Sequence, residues 1–318
     1  MAESGLLLSA LIVVGPRRQR GQRAIDALVA QTRIDAMEIV VVDVAPAGTP
    51  PLVVPREVHS VYLSHPELQS FARARLEGLR RARAPIVAFI EDHCFAQPQW
   101  AEALIEAHRG PWIGVGYAFL SANPRHYVSR GCLVAEYGVY AHPIRSGCSP
   151  RLASNNVSYK RAAVMAMDQG EWLAQALDVN IQDALTRSGQ PMFLEARALV
   201  AHQNYSNLGD LLDANFAHCR LLAANRAALQ GWSVGRRFGL GVVVPLVVPP
   251  LRFLRMLASF RSRSHLWPQL LVTLPIVLST LYWSAIGEAI GYVWGYGDSE
   301  RRFLQVELEV DRGPAMST

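Results

Sequence analysis

The sequence predicts an α/β protein, its sheet mostly parallel and flanked by helices, followed by membrane-associated helices at the C-terminal end. Three observations carry this. Near-continuous apolar runs at residues 6–14, 39–42 and 86–90 read as strands covered on both faces, and stretches of helical apolar spacing separate them. Two of the runs end abruptly in acids, at Asp43 and at Glu91-Asp92-His93, and in open α/β sheets ligands bind at the strands' carboxyl ends. The last third of the chain then changes character, with charge-free segments at 238–251 and 270–287, the second approaching spanning length.

Taken in order, residues 6–14 form the first strand. No basic region precedes this run, so no signal peptide is expected there. The run passes into Gly15-Pro16 and four arginines, and a helix over 20–31 places Ala24, Ile25, Leu28 and Val29 on one face. Residues 38–43 make the second strand and complete a βαβ unit. A Pro/Gly-rich loop over 45–55 leads to a short strand at 58–63. A helix over 66–82 then turns Leu68, Phe71, Ala72, Leu76 and Leu79 inward. After the fourth strand, at 86–90, come a helix ending at His108 and a strand at 112–119 whose Gly114 and Gly116 allow close backbone approach. Next are a helical stretch at 133–140, a Gly/Pro/Ser loop at 143–150 and a strand at 155–159 that feeds a helix over 160–167. A helix over 171–188, a strand at 192–200 closing on His202 and an alanine-rich helix over 208–230 complete this part. The alternation of strands and helices implies parallel pairing.

The chain of 318 residues carries a formal charge of +5, and its arginines cluster, which suits anionic phosphates or a membrane surface. On the soluble part they are not interleaved with aromatics, which argues against nucleic acid as a partner. Cys94, Cys132, Cys148 and Cys219 form no CxxC pair, so neither a zinc site nor a disulfide framework is expected, and a reducing compartment is the default.

Four local patterns together resemble an inverting family 2 glycosyltransferase with the GT-A nucleotide-sugar-binding fold, over roughly residues 6–205. The first is Ile39-Val40-Val41-Val42-Asp43, where the family writes Val-Asp-Asp-Gly-Ser; Val44 stands in the second acid's place. The second is Ala74-Arg75-Leu76-Glu77-Gly78, similar to the family's Ala-Arg-Asn-x-Gly helix. The third is Glu91-Asp92-His93 with Pro98 and Trp100 downstream, falling where the family has its Asp-x-Asp and Pro-x-Trp. The fourth combines Ser154-Asn155-Asn156, Gln182-Asp183 and His202, resembling the acceptor loop, the Glu-Asp pair and the histidine after the last strand.

The resemblance implies roles. Asp43, Arg75, Glu91, Asp92 and His93 would bind the nucleotide-sugar donor, and Asn155, Asn156 and Gln182 would face the acceptor. Asp183 would be the base that deprotonates the acceptor hydroxyl. Glu91, His93 and His202 would hold a divalent cation, Mn²⁺ or Mg²⁺, that neutralises the departing diphosphate. Histidine among the ligands accepts Mn²⁺ more readily than Mg²⁺, and a protonated His93 beside phosphate is the metal-free alternative. The polymer-making members' Gln-x-x-Arg-Trp is absent, His202-Gln203-Asn204-Tyr205 standing nearby, so a single transfer is expected.

At the C-terminal end Pro245, Pro249 and Pro250 are expected to break a straight span, leaving residues 252–265 as an amphipathic interfacial helix whose arginines face anionic headgroups. Were both apolar segments full spans, that arginine-rich connector would lie outside, against the positive-inside tendency. Residues 266–294 either span or form a pair broken at Pro275 and Gly287. Glu288 marks the interface or meets an acceptor headgroup, and Trp267, Tyr282, Trp283, Tyr292, Trp294 and Tyr296 suit an aromatic belt.

The expected division is a catalytic domain over 1–232 on the cytoplasmic face, a membrane-associated region over 233–300 and a tail over 301–318. The expected partners are a nucleoside-diphosphate sugar, a lipid or lipid-linked acceptor, and the membrane. Val44, Gln182 and the altered Asp-x-Asp motivate the other reading, a non-catalytic membrane scaffold on the same fold.

Overall fold

The computed structural model describes residues 5–167, 173–174, 179–187, 189–261 and 263–315. The chain forms two compact units. One runs up to Leu120 and resumes over His142–His202; the other joins Ser121–Ala141 to the chain from Gln203 onward.

In the first unit β1 (Leu8–Val14), α1 (Arg18–Val29), β2 (Met37–Asp43), β3 (Ser60–Ser64), α2 (Phe71–Arg81) and β4 (Ile86–Glu91) follow the predicted order. β1, β2 and β4 are buried along their whole length, which is why they lack a polar face. β1 pairs in parallel with both β2 and β4, and β2 with β3. Next come β5 (Cys94–Ala96), α3 (Trp100–Ala107) and β6 (Gly114–Ser121), then α4 (Tyr127–Tyr137) in the second unit. β7 (Gly147–Cys148), β8 (Val157–Lys160), α5 (Arg161–Met165), α6 (Val179–Arg187) and β9 (Met192–His202) return to the first. The helix expected over 171–188 is described for α6 and for residues 173–174; 171–172, 175–178 and 188 lie outside the described residues.

The sheet order is β3-β2-β1-β4-β8-β6-β9-β5, with β7 on β9. Parallel pairing holds only for the first four strands. β8 runs antiparallel to β4 and β6, and β9 antiparallel to β5 and β7. The segments before these later strands are not crossover helices that would return the chain in the same direction, and apolar strand content alone does not reveal that.

Gly78 explains the glycine in the α2 motif. A Cβ there would meet Leu11 Cγ at 2.8 Å and Val42 Cγ2 at 2.9 Å, so the helix lies directly on β1 and β2. Gly78→Ala is expected to lower stability by about 1–3 kcal/mol, the range of core overpacking, read as a shift in the denaturation midpoint. An unchanged midpoint would show that α2 can retreat from the sheet.

The second unit contains α4, α7 (Leu208–Leu229), α8 (Val234–Phe260), α9 (Trp267–Trp294) and α10 (Ser299–Glu309). The helical stretch expected at 133–140 starts and ends earlier, because tertiary packing overrides the weak propensity of Ser129-Arg130-Gly131: a Cβ on Gly131 would sit 2.6 Å from Ile276. α8 runs unbroken through Pro245, Pro249 and Pro250, and α9 through Pro275 and Gly287, so there is no separate helix over 252–265. Each proline forfeits one backbone bond.

α10 packs in this unit, and Arg312, 2 % exposed, pairs with Glu307 at 2.6 Å above the Tyr205 ring. Tyr205 Oη donates to Glu307 Oε1 at 2.7 Å, and Asn123 Nδ2 donates to the Arg312 carbonyl at 2.8 Å. Residues 316–318 lie outside the described residues.

By length and composition two helical stretches can cross a membrane, Val234–Phe260 and Ser264–Trp294. Their burial differs. Half of the most apolar stretch of the second is buried, against 17 % for the first. Along α8 an exposed stripe of Phe238, Val242, Leu246 and Leu254 recurs at helical spacing. Glu288 on α9 is not at a surface: Arg252 Nη2 lies 2.8 Å from it and Arg226 Nη1 3.5 Å, and Tyr292 donates to it at 3.0 Å. Tyr292 therefore leaves the expected aromatic belt, while Tyr282, Trp283, Trp294 and Tyr296 are exposed.

Candidate active site

β4 delivers Glu91 to the carboxyl end of the parallel half, and a tight turn through Asp92 and His93 sends the chain into β5. The β5–β9 ladder registers Cys94 against His202, which sets the end of β9 beside that turn. The β4–β8 ladder registers Phe89 against Val157, which sets Asn156 beside Glu91. Three separated stretches of sequence therefore converge by strand register.

Glu91, His93 and His202 are all buried, and one ligand atom from each lies within 4.8 Å of the others. His93 Nε2 is 3.3 Å from Glu91 Oε2, and His202 Nε2 is 3.5 Å from the same oxygen. The imidazoles meet edge to face, their centroids 4.9 Å apart. Burial pushes the Glu91 carboxyl up, but the charges and hydrogen bonds of His93 and His202 outweigh it and hold the group well below the usual carboxylate range. Two imidazoles and one carboxylate form a donor set suited to a divalent first-row metal, and the predicted metal ligands are the three that the fold assembles.

The other expected residues surround this group in different capacities. Asn156 brackets Glu91, donating from Nδ2 to Oε2 at 2.6 Å and accepting from the Glu91 N–H at 3.1 Å. Arg75 donates to the side chain and backbone oxygens of Asn155, at 3.3 and 3.2 Å, and so pins the loop that carries Asn156. These contacts make Arg75, Asn155 and Asn156 braces of Glu91. Asp92 receives Arg20 Nη2 at 2.9 Å on one oxygen and contacts His93 Nδ1 at 3.0 Å on the other. Burial alone would raise the Asp92 carboxyl, but Arg20 and His93 hold it below its ordinary value. Both oxygens are thus engaged by protein side chains.

Asp43, at the end of β2, is held by Arg18 through two bonds of 3.0 and 2.8 Å, by Tyr62 Oη, and by the Ala45 N–H at 3.0 Å. Gln182 is spent on the chain, accepting from the Leu152 N–H at 3.0 Å and donating to its carbonyl at 3.1 Å. Its neighbour Asp183 meets Arg151 Nη2 at 2.6 Å. Arg18 and Arg20 carry no assignment from the sequence. Their signal was the arginine run directly after β1, in the first turns of a helix that begins at a strand's carboxyl end.

A parallel β1–β4 half continued by antiparallel β8 and β9, with an acid–histidine group where they meet, defines a GT-A-like fold. Residues 11–127 match the family model described as Glycosyl transferase family 2. Among solved structures it is similar to the mannosyltransferase PcManGT from Pyrobaculum calidifontis, determined in complex with GDP-Man and Mn2+. That match has 15 % identity and a TM-score of 0.55, covering 90 % of this chain and 87 % of that one. S. aureus TarS 1-349 aligns at 11 % identity and a TM-score of 0.43, over 92 % of this chain and 91 % of that one. No curated protein matches significantly.

Proposed function

We propose that the protein is an inverting glycosyltransferase that moves one sugar from a nucleoside-diphosphate donor to a lipid or lipid-linked acceptor. The observation that carries this is the Glu91–His93–His202 group at the strand ends of a family 2 domain. Glu91, His93 and His202 would hold a divalent cation, Mn²⁺ or Mg²⁺. Bound there, the cation supplies charge neutralisation for the departing diphosphate. Arg18, paired with Asp43 on the neighbouring strand, adds positive charge at the same edge of the sheet. Asp183 takes the acceptor's hydroxyl proton, and Arg151 orients its carboxylate.

The membrane part of this reading is supported by the exposed apolar stripe of α8 with arginines at both of its ends, Arg236 and Arg237 on one side and Arg252 and Arg255 on the other.

The test is a panel of UDP- and GDP-sugars with Mn²⁺ or Mg²⁺ and lipid phosphates or lipid-linked glycans as acceptors. GDP-mannose with Mn²⁺ comes first. Transfer with inversion is the expected result, and Asp183→Asn should slow it at least about a hundredfold. Unchanged turnover in that variant would remove Asp183 as the base. The full use of Gln182 on Leu152 favours the other reading, a non-catalytic scaffold, and failure of the intact protein to turn over any donor would establish it.

A further inference from the structure

Asp92 is 1 % exposed, and its two oxygens meet different partners. One oxygen takes Arg20 from α1 and the other the Nδ1 edge of His93, whose Nε2 edge is turned to Glu91. Arg20, with a side chain 8 % exposed, is itself brought there by the first turn of α1. An ionised carboxylate at Nδ1 selects the tautomer that carries its hydrogen there and leaves the Nε2 lone pair for a cation. Bonded on both sides, the imidazole cannot rotate away without breaking a buried contact.

We propose that Asp92, held by Arg20, is the positioning residue that presents His93 Nε2 to a first-row transition-metal ion shared with Glu91 and His202. The site consequently prefers Mn²⁺, Co²⁺ or Zn²⁺ over Mg²⁺. This rests on the reading of that group as a cation site. The selectivity follows from the donors: Mg²⁺ prefers an octahedron of oxygens and gives up water reluctantly, whereas two imidazole nitrogens favour the transition metals. An Asp-x-Asp pair offers oxygen alone and lacks this bias. Arg20 matters because it holds the second Asp92 oxygen and so fixes which face the carboxylate turns to His93.

Equilibrium metal binding to the purified full chain, without sugar nucleotide, tests the proposal independently of any transfer reaction. The wild type is expected to bind Mn²⁺ at least about tenfold more tightly than Mg²⁺, and Co²⁺ more tightly still. Asp92→Asn keeps the shape and an acceptor for Nδ1–H but loses the charge. It should weaken Mn²⁺ about 10–100-fold, narrow the Mn²⁺-to-Mg²⁺ ratio and alter the visible spectrum of the Co²⁺ form. Arg20→Gln should move the same quantities in the same direction by less, and it serves if the Asp92 variant does not fold. A purely structural role would lower apo stability without changing the metal ratio or the Co²⁺ spectrum, and that result would overturn the proposal. So would Mg²⁺ binding equal to Mn²⁺, or no metal binding by the wild type.

Discussion

Replacing Glu91 with Gln is expected to abolish divalent-cation binding and to cut sugar transfer by about a thousandfold or more, the equivalent of about 4 kcal/mol of transition-state stabilisation. Glu91 Oε2 is the common neighbour of both imidazoles and of Asn156 Nδ2, so no other side chain touches every part of the group. A Gln amide keeps the volume but removes the charge that two histidines and a metal require. Titration calorimetry with Mn²⁺ and a radiolabelled transfer assay read the two effects. Loss of transfer with Mn²⁺ binding intact would place the cation elsewhere; full activity would dismiss the group altogether.

Gly291→Leu is expected to take the second unit apart. Gly287 and Gly291, one turn apart on α9, face the backbone of α7 at Phe216 and Arg220: a Cβ on Gly287 would meet the Phe216 carbonyl oxygen at 2.5 Å, and one on Gly291 the Arg220 carbonyl oxygen even more closely. Such spacing lets two helices touch backbone to backbone, the small-residue contact seen between membrane helices. A flexible side chain could yield to an added methyl, but a helix backbone cannot without moving the whole element. The cost should reach or exceed the about 3 kcal/mol upper range of ordinary overpacking. Limited proteolysis and thermal unfolding in detergent should show the variant unfolded. Gly239→Leu on α8, where nothing lies within 4 Å, should behave like the wild type and controls for hydrophobicity alone.

The legible parts of the sequence were those where local pattern and tertiary role coincide. β1, β2 and β4 are buried on both faces, so their apolar runs announce them, and the acids that end two of the strands mark the edge where ligands bind. The convergence of Glu91, His93 and His202 was legible because each of them closes a strand or a strand turn. The antiparallel half was not, since pairing direction depends on how the chain returns, and β5 and β7, of three and two residues, carry no periodicity of their own. Nor could spacing reveal that Asp92 turns to Arg20, that Gln182 serves Leu152, or that Glu288 is enclosed by two arginines; each partner is distant in sequence. The proline-bearing α8 shows the converse error, a strong local signal outweighed by the environment of a long apolar helix.

His202 is separated from Glu91 by most of the domain and is set beside it where β9, lying between β6 and β5 in the sheet, registers it against Cys94. During synthesis the first two ligands emerge together and must wait for the third. A chain stopped before β9 would have the family-matching segment but an incomplete cation cradle. Occupancy is therefore a report on whether the whole sheet has zipped, and an ion that binds only the finished arrangement draws the folding equilibrium toward it in proportion to its free concentration. β9, last of the strands in chain order, is thus the element that completes the Glu91–His93–His202 group.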